Sequence, residues 1–416
     1  MGDPCIVTTP AGVRGILGPP APRDHRRPDA SEAEAPATVS ATASPRRRTA
    51  TAAARERKAP PILVRQLRAG IEESAHRGDI VEADAAERLV RTLGDPKRLV
   101  TLRSTVKPFG AIALIEAGGV EAFGLASDEI AILASSHSGE DIHVRTIQAI
   151  YRRAGVSQGA LACGSAGAPL DELTAARLAR DGEKAGPIRH MCSGQHSAWL
   201  LLSRLNGWDQ DTYWHPDHPS QVAYRSAVAR TYGTTPERLR TAIDGCGIET
   251  FVFSLREVAR AFAFLADPSA VPASDPRSAV AGPLTIVRDA MLANPEMVAG
   301  RHDRLDTSLM KAAPGRLVSK SGMEGLRGVG ILAGPRAGTQ AAEATGLAIK
   351  IEDGDGYDRG TWAASVEALR QAGVLDGQAL RVLARYHQPA SLDPHGRIVA
   401  EAIADFDLAP VGELIG

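Results

Sequence analysis

A serine and a lysine three residues apart, Ser104 and Lys107, precede a largely apolar stretch at 109–117. At this spacing on a helix, the hydroxyl and the amine lie on the same face. Because the stretch is apolar nearly throughout, we expect a helix buried on almost every side, where desolvation lowers the pKa of the lysine. A neutral lysine can accept the proton of a serine hydroxyl and make it a nucleophile. Since Ser-x-x-Lys is common by chance, the motif requires partners elsewhere in the chain.

Two further stretches carry hydroxyl, imidazole and thiol groups beside predicted helices. Residues 135–141 (SSHSGED) lie between a predicted strand at 130–133 and a predicted helix at 142–154. Such a loop is a common place for chemistry, although an N-cap with no other role accounts for the same residues. Residues 192–196 (CSGQH) begin a second apolar helix, so that the thiol and the imidazole share one helical face.

Two turns supply the remaining reactive groups. Residues 244–246 (DGC) are flanked by glycine and place a carboxylate and a thiol close together on a tight turn. Lys320 follows a short predicted strand at 317–318 and is itself followed by glycines. A second lysine near Lys107 would depress the pKa of the first.

The composition of the 416-residue chain excludes several classes of protein. Its formal net charge of -1 provides no global attraction to nucleic acid or to anionic lipid. We find no apolar run of the roughly 20 residues that a membrane span requires. We therefore expect a small-molecule substrate, with neither a nucleic-acid partner nor a membrane. Four cysteines are too few for a disulfide scaffold in a chain of this length, which favours a cytoplasmic location.

The composition also divides the chain. Residues 1–60 contain no aromatic residue and are rich in Pro, Ala, Arg, Ser and Thr. Such a segment buries too little apolar surface to offset its ordering entropy, so we predict a disordered N-terminal extension. Residues 61–416 alternate predicted strands and helices and form the predicted catalytic domain.

Taken together, five stretches resemble the L-asparaginase II family, the rhizobial-type bacterial asparaginases, in order and approximate spacing. The resemblance extends from about Ile62 to His387. It implies an α/β fold similar to that of serine β-lactamases and glutaminases, with a mixed sheet and a helical cluster. It also implies a homodimer that hydrolyses L-asparagine to L-aspartate and ammonia through an acyl-enzyme. The stretches are 103–108 (RSTVKP), 135–141, 192–196, 244–246 and 317–320 (LVSK).

The resemblance implies a role for each matching residue. It pairs Ser104 with Lys107, and it makes Ser136 a second catalytic serine paired with Lys320. The residues that it implies for the substrate pocket are Arg103, His196 and Asp244. The chemistry agrees, since an aspartate suits the ammonium of an amino acid and an arginine suits its carboxylate. Which serine attacks is not decided by the sequence.

The metal is the one point at which the sequence departs from the family. Cys192 and Cys246 match two cysteines that bind zinc together with a lysine, but here Gln195 occupies the position of that lysine. A neutral amide is a poor ligand beside two thiolates, and two sulfurs alone make an incomplete zinc site. A zinc ion and a pair of reduced, buried thiols are both compatible with the sequence.

Three functions compete at this stage. The first is hydrolysis of L-asparagine by a serine that a lysine activates. The second retains the serine chemistry on another amide, or transfers an acyl group. The third is a non-catalytic homologue that binds an amino acid. Two buried lysines favour the first two, because a binding protein has no physical need of them.

Overall fold

The computed structural model describes residues 58–337, 339–356 and 358–412. The predicted disordered extension falls almost entirely on residues 1–57, outside the described residues, and stays a prediction. In the described part of the chain, no helix is both long enough and apolar enough to cross a membrane.

The strands form one large sheet and two small ones. Within the described ranges, every strand pair is antiparallel. The strands are β1 (Ile62–Arg68), β2 (Ile71–Ala83), β3 (Leu89–Leu93), β4 (Leu99–Thr101), β5 (Arg240–Ile243), β6 (Glu249–Ser254), β7 (Leu317–Gly322), β8 (Leu326–Ile331), β9 (Gly334–Arg336), β10 (Thr339–Ala342), β11 (Thr345–Ile351), β12 (Ala390–Leu392) and β13 (Ile398–Ala404). The large sheet has the order β12-β13-β1-β2-β11-β8-β7, with β3 paired to β2; the small sheets are β4-β6-β5 and β10-β9.

The helices lie mainly between β4 and β7 in the chain. They are α1 (Lys107–Glu116), α2 (Gly119–Phe123), α3 (Ser127–Leu133), α4 (Asp141–Ala154), α5 (Glu172–Asp181), α6 (Ser193–Asn206), α7 (Pro219–Thr231), α8 (Leu255–Ala266), α9 (Ala281–Ala293), α10 (Pro295–Val298), α11 (Leu305–Ala312), α12 (Arg359–Gln371), α13 (Gly377–Val382) and α14 (Ala384–His387). The predicted α/β architecture, a sheet with a helical cluster, is confirmed. The sheet was predicted to be mixed, but within the described residues it is antiparallel; short connections such as those from β1 to β2 and from β7 to β8 join antiparallel neighbours.

The α8 helix packs on the sheet against β2, β8 and β11. Its close approach depends on two strand glycines, because a Cβ at Gly328 would overlap the Phe262 ring and one at Gly346 would overlap the Ala259 carbonyl. Glycine permits such contact between a helix backbone and a sheet. This packing supports β8, which pairs with β7, the edge strand that carries Lys320.

The α1 helix lies inside the helical cluster, in contact with α6, α7 and α9. Its residues from Lys107 to Leu114 are all buried, as the apolar sequence predicts. Phe109 packs edge-on against Tyr232 and Phe262. The lysine at the first position of α1 therefore enters the site from a helix that is held on most sides.

One predicted strand is wrong. Residues 130–133 belong to α3, which starts at Ser127. Glu129 accepts a hydrogen bond from the Ala126 N–H at 2.9 Å and so satisfies a backbone donor at the helix start. A four-residue apolar run has the same appearance in a buried strand and in a buried helix, so its period does not separate the two.

Candidate active site

Ser136 lies in the loop between α3 and α4 and is 3 % exposed. Its backbone is held on both sides: its N–H donates to the Val298 carbonyl, and its carbonyl accepts from Arg304 Nη2, each at 2.9 Å. The neighbouring His137 side chain is fully buried and bonds to Ser193 Oγ at 2.8 Å. The loop after α3 is therefore bonded to α6 through His137 and Ser193, and its backbone is fixed at Ser136. These contacts hold the Ser136 hydroxyl in a defined position.

Two lysine amines meet at the Ser136 hydroxyl. Lys107 Nζ lies 3.0 Å and Lys320 Nζ 2.8 Å from Ser136 Oγ. Lys107 comes from the start of α1, Ser136 from the loop after α3 and Lys320 from β7. The structure thus places together three of the predicted catalytic residues from three distant parts of the chain.

The two lysines differ in their other hydrogen bonds. Lys107 Nζ also contacts the Met191 carbonyl at 3.3 Å and Cys192 Sγ at 3.2 Å, so that it faces three acceptors. Three acceptors match the three donors of an ammonium group. Lys320 Nζ also bonds to the Ser321 carbonyl at 2.7 Å. With two partners, Lys320 fits a neutral amine that donates to Ser321 and accepts from Ser136.

Burial lowers the pKa of Lys320 well below its ordinary value, and the positive charges of Lys107 and Arg304 lower it further. The carboxylate of Asp306 opposes this shift. Desolvation is the largest cause, because a fully buried ammonium loses the water that stabilises its charge. A lysine of lowered pKa is suited to accept a proton near neutral pH.

Asp306 is buried near Lys320 and binds several polar groups. It is 2 % exposed, and it accepts hydrogen bonds from Ser319 Oγ at 2.7 Å and from the Ser321 N–H at 2.9 Å. It also forms an ion pair with the buried Arg327. These partners hold the pKa of the Asp306 carboxyl well below its usual range in spite of burial.

Replacement of Asp306 by asparagine is expected to destabilise the fold by about 3–5 kcal/mol, because it leaves Arg327 buried without a counter-charge. Chemical denaturation at pH 7 measures this change in the free energy of unfolding. Asp303→Asn is the matched control, since Asp303 is exposed and pairs with Arg385 at the surface. Equal effects of the two substitutions would contradict the prediction. As the native pKa of Asp306 is depressed, its contribution is complete above pH ~4 and is lost as the pH falls further.

Ser104 lies beside this arrangement but outside its hydrogen bonds. It is 4 % exposed and belongs to a short 3-10 helix, Arg103–Val106, that precedes α1. Within the described residues, its hydroxyl has no hydrogen-bond partner, and Lys107 points to Ser136 instead. The proximity of Ser104 and Lys107 in sequence is therefore not a side-chain contact in this structure.

Arg103 and Asp244, two of the predicted substrate-binding residues, bind each other. Arg103 Nε donates to Asp244 Oδ1 at 2.6 Å. The β4-β6-β5 sheet brings them together: Arg103 follows β4, Asp244 follows β5, and the Arg103 N–H donates to Thr250 Oγ1 on β6 at 2.8 Å. Arg103 has a left-handed backbone with φ of 47°, which non-glycine residues adopt rarely and often at functional sites.

His196, the third predicted substrate-binding residue, is completely buried in α6. Its Nδ1 lies 2.5 Å from the Tyr213 hydroxyl, and its Nε2 has no hydrogen-bond partner in the described structure. Burial lowers the pKa of His196 to about 3, so that the ring is neutral.

The two predicted zinc cysteines lie together. The neighbouring Cys246 and the positive charge of Lys107 hold the pKa of Cys192 well below its ordinary value, against the effect of burial. Gln195, which is 2 % exposed, has neither amide atom hydrogen-bonded within the described residues. Cys192 and Cys246 thus lie together beside an unpartnered amide.

These residues do not complete a zinc site. Structural zinc requires four ligands and catalytic zinc three from the protein, mostly thiolate, imidazole or carboxylate. Within the described residues, a search for three such groups with ligand atoms within 4.8 Å of one another finds Glu140, Asp171 and His302, and neither cysteine. In that group, Glu140 is already bonded to Arg301, and Asp171 to Thr174 and His302.

Ser136 lines one cavity, and Lys107 lines another. A cleft of about 390 Å³ is lined by Ser104, Ser136 and Arg304, and also by residues of β7 and of the segment before α12. A second cavity of about 20 Å³ contains Arg103, Lys107, Cys192, Gln195, His196, Asp244 and Cys246 on its wall. The smaller cavity has room for about one water molecule, whereas the larger is of the size that binds small organic ligands.

Arg304 and Asp306 are the residues that the sequence analysis missed. They lie in a run of charged residues, 301–306, which resembles a solvated loop because nothing in its pattern indicates burial. The proximity of this run to Ser136 depends on α10 and α11 folding back against α3 and β7.

The chain is similar in sequence to one known protein family. Residues 64–403 match the sequence model of the L-asparaginase II family, so the chain belongs to this family. The chain is accordingly an enzyme of the amidohydrolase type. No curated protein matches the sequence significantly.

Among solved structures, the chain is similar to several glutaminases. A Bacillus glutaminase is 12% identical, with 72% of this chain and 91% of that chain covered at a TM-score of 0.34. A probable glutaminase of Bacillus subtilis is 10% identical, with coverages of 74% and 86% at a TM-score of 0.31. A Bacillus subtilis glutaminase in covalent complex with 5-oxo-L-norleucine has the same identity and coverages at a TM-score of 0.30.

Proposed function

We propose that this protein hydrolyses the side-chain amide of L-asparagine to L-aspartate and ammonia, with Ser136 as the nucleophile. The observation that carries the proposal is the contact of one buried hydroxyl with two lysine amines, at 2.8 and 3.0 Å. Membership of the L-asparaginase II family supports the choice of substrate.

In the acylation step, neutral Lys320 accepts the proton of Ser136 while Oγ forms a bond to the amide carbonyl carbon. Lys107 donates a hydrogen bond to the same oxygen and stabilises its developing negative charge. The proton held by Lys320 then passes to the amide nitrogen. The carbon–nitrogen bond breaks, ammonia leaves, and the aspartyl group remains as an ester on Ser136.

In the deacylation step, a water molecule attacks the ester carbonyl while Lys320 accepts the proton of that water. The bond between the carbonyl carbon and Ser136 Oγ breaks, and the proton returns to Oγ. L-aspartate leaves, and the site regains its starting protonation. One lysine of low pKa serves as base and then as acid in both steps, which is how general acid–base catalysis operates near neutral pH.

We propose further that the reaction proceeds without zinc. Cys192 lacks a lysine partner at position 195, and its sulfur instead accepts a hydrogen bond from Lys107. Through this hydrogen bond, the Cys192 sulfur holds the Lys107 amine close to Ser136. Homodimeric assembly, which the family resemblance implies, and a cytoplasmic location stay predictions.

The size of the cleft favours a second candidate, hydrolysis of a longer amide such as L-glutamine. A cleft of about 390 Å³ has room for a side chain with one further methylene. The catalytic groups would be the same, and only the position of the amide relative to Ser136 would differ.

Ammonia release by the purified full chain tests the proposal. The assay compares L-asparagine, L-glutamine and β-aspartyl amides, each with and without a chelator, and the zinc content is measured by elemental analysis. We expect turnover of L-asparagine that the chelator does not change, with zinc well below one equivalent per chain. Absence of ammonia release from every amide would overturn the hydrolase; loss of activity on chelation would overturn only the metal-free mechanism.

A further inference from the structure

Arg304 is a cation without a counter-ion beside the proposed nucleophile. Its guanidinium donates one hydrogen bond, to the Ser136 carbonyl. In the described part of the chain, no carboxylate lies within the 4.0 Å of a salt bridge with it. Arg304 is half-buried, and the partial loss of solvent lowers its pKa.

Other arginines around the site have partners. Arg103 is paired with Asp244, Arg301 with Glu140 and Arg327 with Asp306. A guanidinium carries five N–H donors, and Arg304 uses one of them on Ser136. The donors that remain border the cleft of about 390 Å³. A planar fork of this kind recognises a carboxylate best, because two parallel hydrogen bonds form at once.

A carboxylate without a partner lies in the same cleft. Asp358 precedes α12, and within the described residues its side chain makes neither a hydrogen bond nor a salt bridge. Its neighbour Asp355, by contrast, accepts from the backbone N–H groups of Gly360 and Thr361. Asp358 is exposed, and partial desolvation together with the negative charge of Asp355 raises its pKa, against the opposing charges of Arg327 and Arg304.

The two unpaired charges have opposite sign and do not meet. Arg304 and Asp358 attract each other through space but are too far apart for a salt bridge. A ligand with a carboxylate and an ammonium group would satisfy both across the intervening space. Arg103 and Asp244, the anchors implied by the family resemblance, are already paired and line a cavity with room for about one water molecule.

We propose that Arg304 binds the α-carboxylate and Asp358 the α-ammonium group of an amino-acid amide, whose side-chain carbonyl then faces Ser136. The assignment rests on the proposed hydrolase function and adds to it the residues that select the substrate. The class of ligand is a zwitterionic α-amino acid with a terminal carboxamide.

The test compares substrates that carry or lack each charged group. L-asparagine has both, 3-aminopropanamide lacks the α-carboxylate, and succinamate lacks the α-amino group. Arg304→Gln is expected to raise KM for L-asparagine about 10- to 100-fold, the effect of losing hydrogen bonds to a charged group. Its kcat/KM for 3-aminopropanamide should fall much less than that for L-asparagine, because only L-asparagine carries the α-carboxylate. Asp358→Asn should impair L-asparagine turnover more than succinamate turnover.

Two controls make the outcome specific. Arg180→Gln removes an exposed arginine that pairs with Asp181 on α5 and should leave both substrates unaffected. Arg103→Gln tests the competing anchor. Equal loss of kcat on both substrates in Arg304→Gln would show that Arg304 only positions Ser136, and would overturn the assignment. A carboxylate-specific loss in Arg103→Gln, with none in Arg304→Gln, would also overturn it.

Binding of L-aspartate, measured by calorimetry, separates this assignment from the hydrolase proposal because it requires no turnover. We expect the wild type to bind L-aspartate and Arg304→Gln to bind it at least about tenfold more weakly. If the wild type releases no ammonia but shows this difference, the hydrolase proposal fails and the anchor assignment stands. If the wild type does not bind L-aspartate, or the variant binds it equally well, the assignment fails.

Discussion

Substitution of Ser136 by alanine is expected to lower kcat for amide hydrolysis at least about 10³-fold, because it removes the atom that forms the acyl-enzyme. Ser136 Oγ is the oxygen that both lysine amines contact. Ser104→Ala should have a much smaller effect, since the Ser104 hydroxyl has no hydrogen-bond partner within the described residues. The comparison decides between the two serines that the sequence leaves as alternatives.

Initial rates of ammonia release measure both variants, and circular dichroism shows whether each is folded. Mass spectrometry of the wild type during turnover should find the mass of an aspartyl adduct on the peptide that contains Ser136. An inactive Ser104→Ala beside an active Ser136→Ala would reverse the assignment. An adduct on Ser104 would do the same.

Replacement of Lys320 by methionine is expected to reduce kcat by about 10²–10⁴-fold, the usual contribution of a general acid–base group. The same substitution should make the fold more stable at neutral pH. Methionine has a similar length and no charge, whereas Lys320 is fully buried with its pKa lowered by desolvation. Opposite changes in activity and stability are expected where a buried polar group serves function rather than folding.

The dependence on pH follows from the direction of the shift. Between the lowered native pKa of Lys320 and the ordinary lysine pKa of about 10.4, the unfolded chain binds a proton that the native state does not. Lys320 therefore makes the wild-type stability rise with pH over this range. The stabilisation by Lys320→Met should be largest at the acidic end of the range and should vanish near pH 10.4. Wild-type kcat should rise with pH through the native pKa of Lys320.

Thermal unfolding across a pH series and kcat–pH profiles check these expectations. Lys311→Met is the control, because Lys311 is exposed and pairs with Glu296 at the surface. It should leave the activity and its pH profile unchanged. If Lys320→Met is folded and fully active, Lys320 is not part of the mechanism. If the stability of Lys320→Met depends on pH as strongly as that of the wild type, another group is responsible for the pH dependence.

Local features of the structure were predictable where one pattern dominates. The run after Ser104 predicted a buried helix, and α1 is buried over Lys107 to Leu114. The helix predicted at 142–154 is α4, Asp141–Ala154. The run at 130–133 was too short for its period to be informative, and it became part of α3 instead of a strand.

The candidate site was only partly predictable for a different reason. Ser136 and Lys320 were found through family motifs, because their neighbours in sequence are distinctive. Arg304 and Asp306 have ordinary charged neighbours. The packing of α10 and α11 against other elements makes Arg304 half-buried and Asp306 fully buried. Burial and the absence of a counter-ion are properties of the assembled chain, so no local pattern reports them.

The sequence by itself determined which reactive groups are present: two serines, two lysines, two thiols, and a glutamine where the family has a lysine. Only the tertiary structure decided which of them meet. Lys107 contacts Ser136, 29 positions away, and not Ser104, three positions away. The reason is that the packing of α1 against α6 and the loop after α3 directs the amine toward that loop. Helical spacing can place two side chains on one face, but the surrounding elements determine which acceptor a charged group reaches.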